Sequence, residues 1–426
     1  MSTANHIRTQ SLAAQPKQHI LRDSLKLFSS GALGQIVALL LLVFIGRQYS
    51  EEAMGVLGTF LAWSGLFATG IMGRYEQAIV VVTDDREAWG LFRSSIELAI
   101  LGTILLFSFI SLVETLASYN PLGQYAWWMP LYVLLLAIFS ASSMLTLRQR
   151  RYGHLAIAQG VRTVSNNLLK VLFGLREASA AMLLLSTALA SVLGLLPIIR
   201  FAKRIWHQAP PLEERLVSLR RHINFLRYST PQALIDTALG SLLILLIPFA
   251  YSIGEVGILT MSAMLARRPL LVLSESIGQV YFERMSRTVS ARASLWVLIR
   301  RPIGLILSLG SIIAIGLAFC IEPLVVLFVG ERWLASAEVI LWMLPSLIFN
   351  FANSIFNVMP DILGHQKSNL YAQVAMLLFE FAVIVSGFVL WRFESFIPYY
   401  YSLIFVEQIL YFAFLLNLVR RYEMDI

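Results

Sequence analysis

The chain reads as an all-α integral membrane protein of about twelve transmembrane helices in two six-helix bundles. Three observations predict this. Hydrophobic residues make up 58% of the 426 and charged ones only 14%, where a soluble domain carries about 25% charged; mean hydropathy is +0.73. The apolar residues fall in runs of the roughly 20 that a helix needs to cross a hydrocarbon core. A motif near the start of the second run recurs near the start of the eighth.

Taken in order, the spans are 26–45, 53–72, 92–113, 125–147, 154–175, 180–199, 225–250, 255–282, 298–321, 334–358, 369–391 and 396–419. Residues 1–24 form a polar tail with His6, Arg8, Lys17, His19 and Arg22; the apolar run that follows is too long for a signal-peptide core, so a short cytoplasmic tail is expected. Of the 33 Lys and Arg, the predicted external loops hold Arg47, Arg176, Arg332 and Arg392. Arg162, Lys170, Arg267 and Arg268 lie within spans, and the other 25 fall on the opposite side. The positive-inside bias therefore predicts both termini in the cytoplasm, and it accounts for the net charge of +8 without a nucleic-acid partner. The short external loops leave no room for a catalytic domain, which argues against an enzyme. One cysteine, Cys320, excludes a disulfide framework, and no histidine pair has metal-ligand spacing.

The repeat divides the chain. Tyr49-Ser-Glu-Glu-Ala-Met-Gly-Val-Leu57 aligns with Tyr251-Ser-Ile-Gly-Glu-Val-Gly-Ile-Leu259 at an offset of 202. Six spans fall in each copy, predicting bundles at 25–200 and 225–419 and a second cytoplasmic tail at 420–426. Parallel repeats place a substrate path at the interface between bundles. The stretch 201–224 is basic and broken by Pro210-Pro211, and Leu212, Leu216, Leu219, Ile223 and Leu226 follow at helical spacing. An amphipathic linker helix on the cytoplasmic surface is expected there.

Polar residues inside spans mark where function is to be sought. Gln159, Arg162, Thr163, Asn166 and Lys170 share one face of the fifth span and line either a watery cavity or a polar helix contact. Arg267 and Arg268 sit mid-span before Pro269, where a guanidinium costs about 2.5–3.5 kcal/mol even on insertion scales. Asp236 and Arg268 each lie 16 residues from Ser252 at the intervening turn, so an ion pair at matched depth is expected. That leaves Arg267 to meet an anion; the alternative is a structural ion-pair network for both. Glu380 and Glu407 match in depth across the last external turn, and either share a proton or cation or face different neighbours. Ser346, Asn350, Asn353 and Asn357 form a stripe in the tenth span that interhelical hydrogen bonds would explain, with cavity lining as the alternative. Gly31, Gly34 and Gln35 in the first span read as close helix packing.

A family resemblance joins these features. Arg47-Gln-Tyr-Ser-Glu-Glu-Ala-Met-Gly-Val-Leu57, Gly73-Arg-Tyr-Glu-Gln-Ala-Ile-Val80 with Thr83-Asp-Asp85, Ile277-Gly-Gln-Val-Tyr-Phe282, Phe328-Val-Gly-Glu-Arg-Trp333 and Leu363-Gly-His-Gln-Lys367 resemble bacterial polysaccharide (O-antigen) flippases. These belong to the multidrug/oligosaccharidyl-lipid/polysaccharide exporter (MOP) superfamily. The resemblance implies two bundles around a central cavity in the bacterial inner membrane. It implies alternating-access flipping of undecaprenyl-pyrophosphate-linked oligosaccharides to the periplasmic leaflet for O-antigen, exopolysaccharide or capsule, with glycan polymerase machinery as a further partner beside the membrane lipids. Arg162, Asn166, Lys170, Arg267 and Arg268 suit pyrophosphate binding. Asp236, Glu380 and Glu407 fall on the spans that carry a Na⁺ or H⁺ coupling site in some relatives. No other cofactor is implied. Arg74, Tyr75 and Glu76 read as a structural clamp at the cytoplasmic end of the second span, or else as a substrate contact. The charged pair of lipid II flippases is missing from the first span. A multidrug exporter of the same superfamily and a membrane enzyme or scaffold of glycan assembly are the competing expectations.

Overall fold

The computed structural model describes residues 37–116, 120–390 and 392–425, and all its regular structure is helical. Each predicted span coincides with a helical segment. The first is described only from α1, Val37–Gln48, so the Gly31, Gly34 and Gln35 cluster and the N-terminal tail lie outside the described residues. Then follow α2 (Glu51–Gly70), α3 (Tyr75–Val81), α4 (Asp85–Leu116), α5 (Met129–Arg148), α6 (Tyr152–Gly174) and α7 (Ala180–Trp206). The linker helix α8 (Leu212–Arg221) leads to α9 (Thr230–Leu246), α10 (Ile253–Ser262), α11 (Arg268–Ser290), α12 (Leu295–Val329), α13 (Leu334–Phe356), the short α14 (Met359–Ile362), α15 (Gln366–Leu390) and α16 (Phe393–Asp425). Nine helical segments among the described residues are long and apolar enough to cross a membrane. The fifth and eighth spans fall short of that by composition: α6 carries the polar stripe, and α10–α11 carries the two arginines and is broken by a π-helical turn over Ala263–Arg267.

The repeat has a structural cause. Ser50 caps α2, accepting from the Ala53 N–H at 3.2 Å. Its counterpart Ser252 caps α10 in a capping box with Glu255, so both motifs start a helix by satisfying its first orphan donors. Gly55 and Gly257, also matched, form a reciprocal contact. A Cβ on Gly55 would overlap the Ile253 carbonyl, and one on Gly257 the Glu51 carbonyl. Only glycine lets the two backbones approach so closely. This end of the molecule, distal to α8, is further closed between the halves. The Trp333 indole donates to the Gly46 carbonyl at 2.6 Å, Arg332 to that of Tyr49 at 3.1 Å, and Arg47 to that of Leu327 at 2.7 Å. Trp333 and Tyr49 are fully buried there.

At the linker end, Arg74-Tyr75-Glu76 ties the halves together. Gly73 and Arg74 adopt φ of 59° and 58°, turning the chain out of α2 into α3. The Tyr75 hydroxyl reaches the Leu219 carbonyl of α8 at 3.3 Å, and Leu226 packs against Gly73. None of the three residues lines a cavity described below. Arg148 clamps the same hook, donating to the carbonyls of Ile79 (2.9 Å), Val82 and Thr83 and to the Asp85 carboxylate (2.9 Å). Glu76 is buried, and burial raises its pKa against the opposing pull of its backbone hydrogen bond and of Arg74. A raised carboxyl pKa stabilises the fold at low pH, and that contribution is lost as pH rises through the folded value. Glu76→Gln should therefore raise the melting temperature at pH 7 and change it little near pH 4.5, readable in detergent by thermal unfolding.

Helix α8 docks by a polar rather than an apolar face. Arg215 and Ser218 are buried while Leu212, Leu216 and Val217 are exposed. Arg215 pairs with Glu97, Arg86 with Glu214 at 2.9 Å, and Arg221 with Glu87 at 3.0 Å. The amphipathic spacing locates the helix, but the carboxylates on α4 determine which side faces the bundle. A hydrogen bond to a charged group contributes about 1.5–3 kcal/mol, so Arg215→Met is expected to lower the melting temperature by several degrees.

Candidate functional site

Among the described residues, two polar chambers hold the intramembrane charges, one mainly in each half. The first has a volume of about 520 Å³. Its floor is α6, whose period places Gln159, Arg162, Thr163, Asn166 and Lys170 on the cavity face. Helix α7 packs close behind, with Gly194 seated on the Arg162 side chain, and Thr187 and Ser191 contribute to the wall. From α5 come Tyr132 and Phe139, and Phe139 lies under the Arg162 guanidinium at 4.6 Å. From the second half comes Arg268.

No Asp or Glu among the described residues lines this chamber. Among the described residues, Arg162, Lys170 and Arg268 form no ion pair. Lys170 is 3% exposed, and the backbone beside it is pinned by the Tyr49 hydroxyl, which donates to the Lys170 carbonyl at 2.7 Å. Three basic side chains thus line one chamber with no acidic partner among the described residues. An anion entering the chamber would gain charge-assisted hydrogen bonds while relieving their mutual repulsion.

The second chamber, also about 520 Å³, is acidic: among the described residues Asp236, Asp361, Glu380 and Glu407 line it against one basic side chain, Arg267. Arg267 donates to the Gly240 carbonyl at 3.0 Å. The Tyr400 hydroxyl donates to Glu380 Oε1 at 2.5 Å. All four members of the tenth-span stripe, Ser346, Asn350, Asn353 and Asn357, line this chamber. Asn353 also makes the expected interhelical bonds, to Gln408 Oε1 at 2.9 Å and to its carbonyl at 3.0 Å. Among the described residues, no group of three His, Cys, Asp or Glu side chains gathers to hold a metal ion. Asp236, Glu380 and Glu407 share the chamber but not one ligand shell.

The expected pairing of Asp236 with Arg268 is corrected. Arg267, not Arg268, shares the chamber with Asp236, and Arg268 turns into the basic chamber. The count of residues from the turn fixed depth but not rotation about the helix axis. The π-helical turn, frequent at functional sites, changes that rotation just before the pair. Adjacent side chains on this one segment therefore serve opposite chambers. Tyr132, Phe139, Asp361, Gln373 and Tyr400 line the chambers as well and were not singled out from the sequence; an isolated aromatic or amide in an apolar run has no spacing signal to betray it.

A family model described as "Polysaccharide biosynthesis protein" matches residues 72–338. The chain belongs to that family. No curated protein sequence matches it. Among solved structures, the inward-facing conformation of a multidrug-resistance MATE family transporter of the MOP superfamily is similar over 94% of this chain and 99% of that one, at 13% identity and a TM-score of 0.72. The lipid II flippase MurJ, inward closed, matches over 93% and 91% at 14% identity, also with a TM-score of 0.72. The Vibrio cholerae MATE transporter VcmN in its bent form reaches a TM-score of 0.52 at 14% identity, over 96% and 98%. The protein is a multi-pass membrane protein with the all-helical fold of these transporters.

Proposed function

We propose that the protein flips undecaprenyl-pyrophosphate-linked oligosaccharide units from the cytoplasmic to the periplasmic leaflet of a bacterial inner membrane. The carrying observation is the basic chamber with its three cations and no lining carboxylate. A pyrophosphate cannot enter hydrocarbon bare; Arg162, Lys170 and Arg268 replace its hydration, the guanidiniums by two-pronged hydrogen bonds and the lysine as a point charge. Membership of a polysaccharide biosynthesis family supports a glycan-bearing lipid as cargo. Both termini then lie in the cytoplasm, the linker end faces inward and the interlocked distal end faces the periplasm. On this reading the contacts there close the transporter to the outside, and transport requires the halves to rock about that seam.

The acidic chamber supplies the coupling. Glu380 and Glu407, with Asp236 nearer the linker end, exchange a proton or sodium ion as the halves rock. The experiment is reconstitution in proteoliposomes with a fluorescent undecaprenyl-pyrophosphate glycan, with flipping followed by quenching of the outward leaflet. No flipping by the wild type under either a proton or a sodium gradient would refute the proposal. A second reading, export of cationic drugs, is favoured by the four carboxyls of the second chamber. Under it, a deletion strain becomes drug-sensitive while surface polysaccharide is unchanged.

A further inference from the structure

The flippase reading assigns the basic chamber to pyrophosphate and the deep carboxyl pair of the second chamber to coupling, and leaves most of the second chamber without a role. Its part nearest the linker end is a belt of neutral amides: Asn350, Asn353 and Asn357 on α13, and Asn369 and Gln373 on α15. Amides inside a membrane span are expensive unless hydrogen-bonded, and this belt is only partly satisfied from within the protein. Asn350 and Asn357 make no side-chain hydrogen bond among the described residues, and Asn353 Oδ1 and Gln373 Oε1 are buried without a partner. Asn353 itself is 5% exposed. Helix packing, the first explanation for such a stripe, accounts for the Asn353 Nδ2 bonds to α16 and for the Tyr411–Asn369 bond between α16 and α15, but not for the two unpartnered oxygens.

Neutral amides offer both a donor and an acceptor, which matches a hydroxyl, itself donor and acceptor, better than it matches a cation or an anion. Tyr411 closes the belt with its ring, its hydroxyl held by Asn369 Oδ1 at 3.0 Å. The chamber, at about 520 Å³, is within the usual size range of ligand pockets, about 300–1,000 Å³. Position completes the match. The two chambers flank one helical segment, since Arg268 lines the first and its neighbour Arg267 the second.

We propose that the amide belt of the second chamber is a saccharide subsite that holds the sugars of the cargo and selects uncharged units over uronic acids. It rests on the flippase reading and adds to it the orientation and chemistry of the glycan. Selection follows from the neighbours: Asp236 and Asp361 border the belt, and a uronate would add a further carboxylate to this acidic wall, where like charges disfavour one another.

The test uses the full chain in nanodiscs and three short polyprenyl pyrophosphates: bare, bearing a neutral trisaccharide, and bearing that trisaccharide with one glucuronic acid. Binding is measured by calorimetry. The neutral probe should bind about tenfold or more tighter than the bare one, since a site built to hydrogen-bond hydroxyls discriminates strongly against their absence. The glucuronate probe should gain nothing over the bare one. The double variant Asn350→Leu/Gln373→Leu should bring the neutral probe to the affinity of the bare one and leave bare binding unchanged, which also shows that the variant is folded. Equal wild-type affinity for bare and neutral probes overturns the proposal, as does equal affinity for neutral and glucuronate probes, or a uniform loss across all three in the double variant. Bare-probe binding undiminished by Arg268→Ala instead refutes the pyrophosphate reading beneath it, a separate outcome.

Discussion

Replacing Arg268 by alanine should lower flipping of a lipid-linked pyrophosphate about 10- to 100-fold at low substrate, with the protein still present in the membrane. The figure is the loss of about 1.5–3 kcal/mol for a hydrogen bond to a charged group, at 1.4 kcal/mol per decade. Alanine leaves Arg162 and Lys170 facing the chamber, so the residual activity is theirs. Arg268→Lys should restore part of it, retaining the charge but not the fork. Arg267→Ala removes a side chain from the other chamber, so binding of bare polyprenyl pyrophosphate should be unaffected. Calorimetry on the two alanine variants side by side separates these roles. Equal losses in both would mean that the arginines act as one unit.

Much of this was legible in the sequence. Spans, repeat and polar stripe follow from periodicity, because a lipid environment forces every backbone group into a helix and every polar face toward protein or water. The stripe on α6 lines one chamber as a single face, since a helix face is fixed by its own spacing. What spacing could not supply was rotation between helices. Arg267 and Arg268 were assigned the wrong neighbours for that reason: the π-helical turn before them has no composition signature. Helix α8 shows the same limit. Its apolar positions were evident, yet the buried contact of Arg215 depends on where Glu97 of α4 comes to rest, a tertiary fact.

The second large effect is expected at the glycine seam. Gly257→Leu would drive a side chain into the Glu51 carbonyl, and overpacking of this kind costs about 1–3 kcal/mol, here all on the closed arrangement. The halves should then favour the form open at the distal end. With Cys320→Ser as background, a cysteine replacing Met54, which is buried and lines the basic chamber, should become reactive to an impermeant maleimide applied from outside. Flipping should fall to background while calorimetric binding of bare polyprenyl pyrophosphate persists. An unreactive cysteine in the Gly257→Leu protein would show that the seam is not the gate. Gly55→Leu, the mirror position, should behave alike.

That mirror relation has a consequence of its own. Gly55 meets the backbone at Ile253, and Gly257 meets the backbone at Glu51; residue against counterpart in both directions is the isologous pattern of a two-fold homodimer. A homodimer must repeat on one side whatever it places on the other. Joined as one chain, the two copies are released from that obligation. At the repeat's offset of 202, Gly65 and Leu66 stand where Arg267 and Arg268 stand in the second copy. Tandem linkage is thus what permits one half to be basic and the other acidic, giving a bipolar interior that two identical subunits could never assemble.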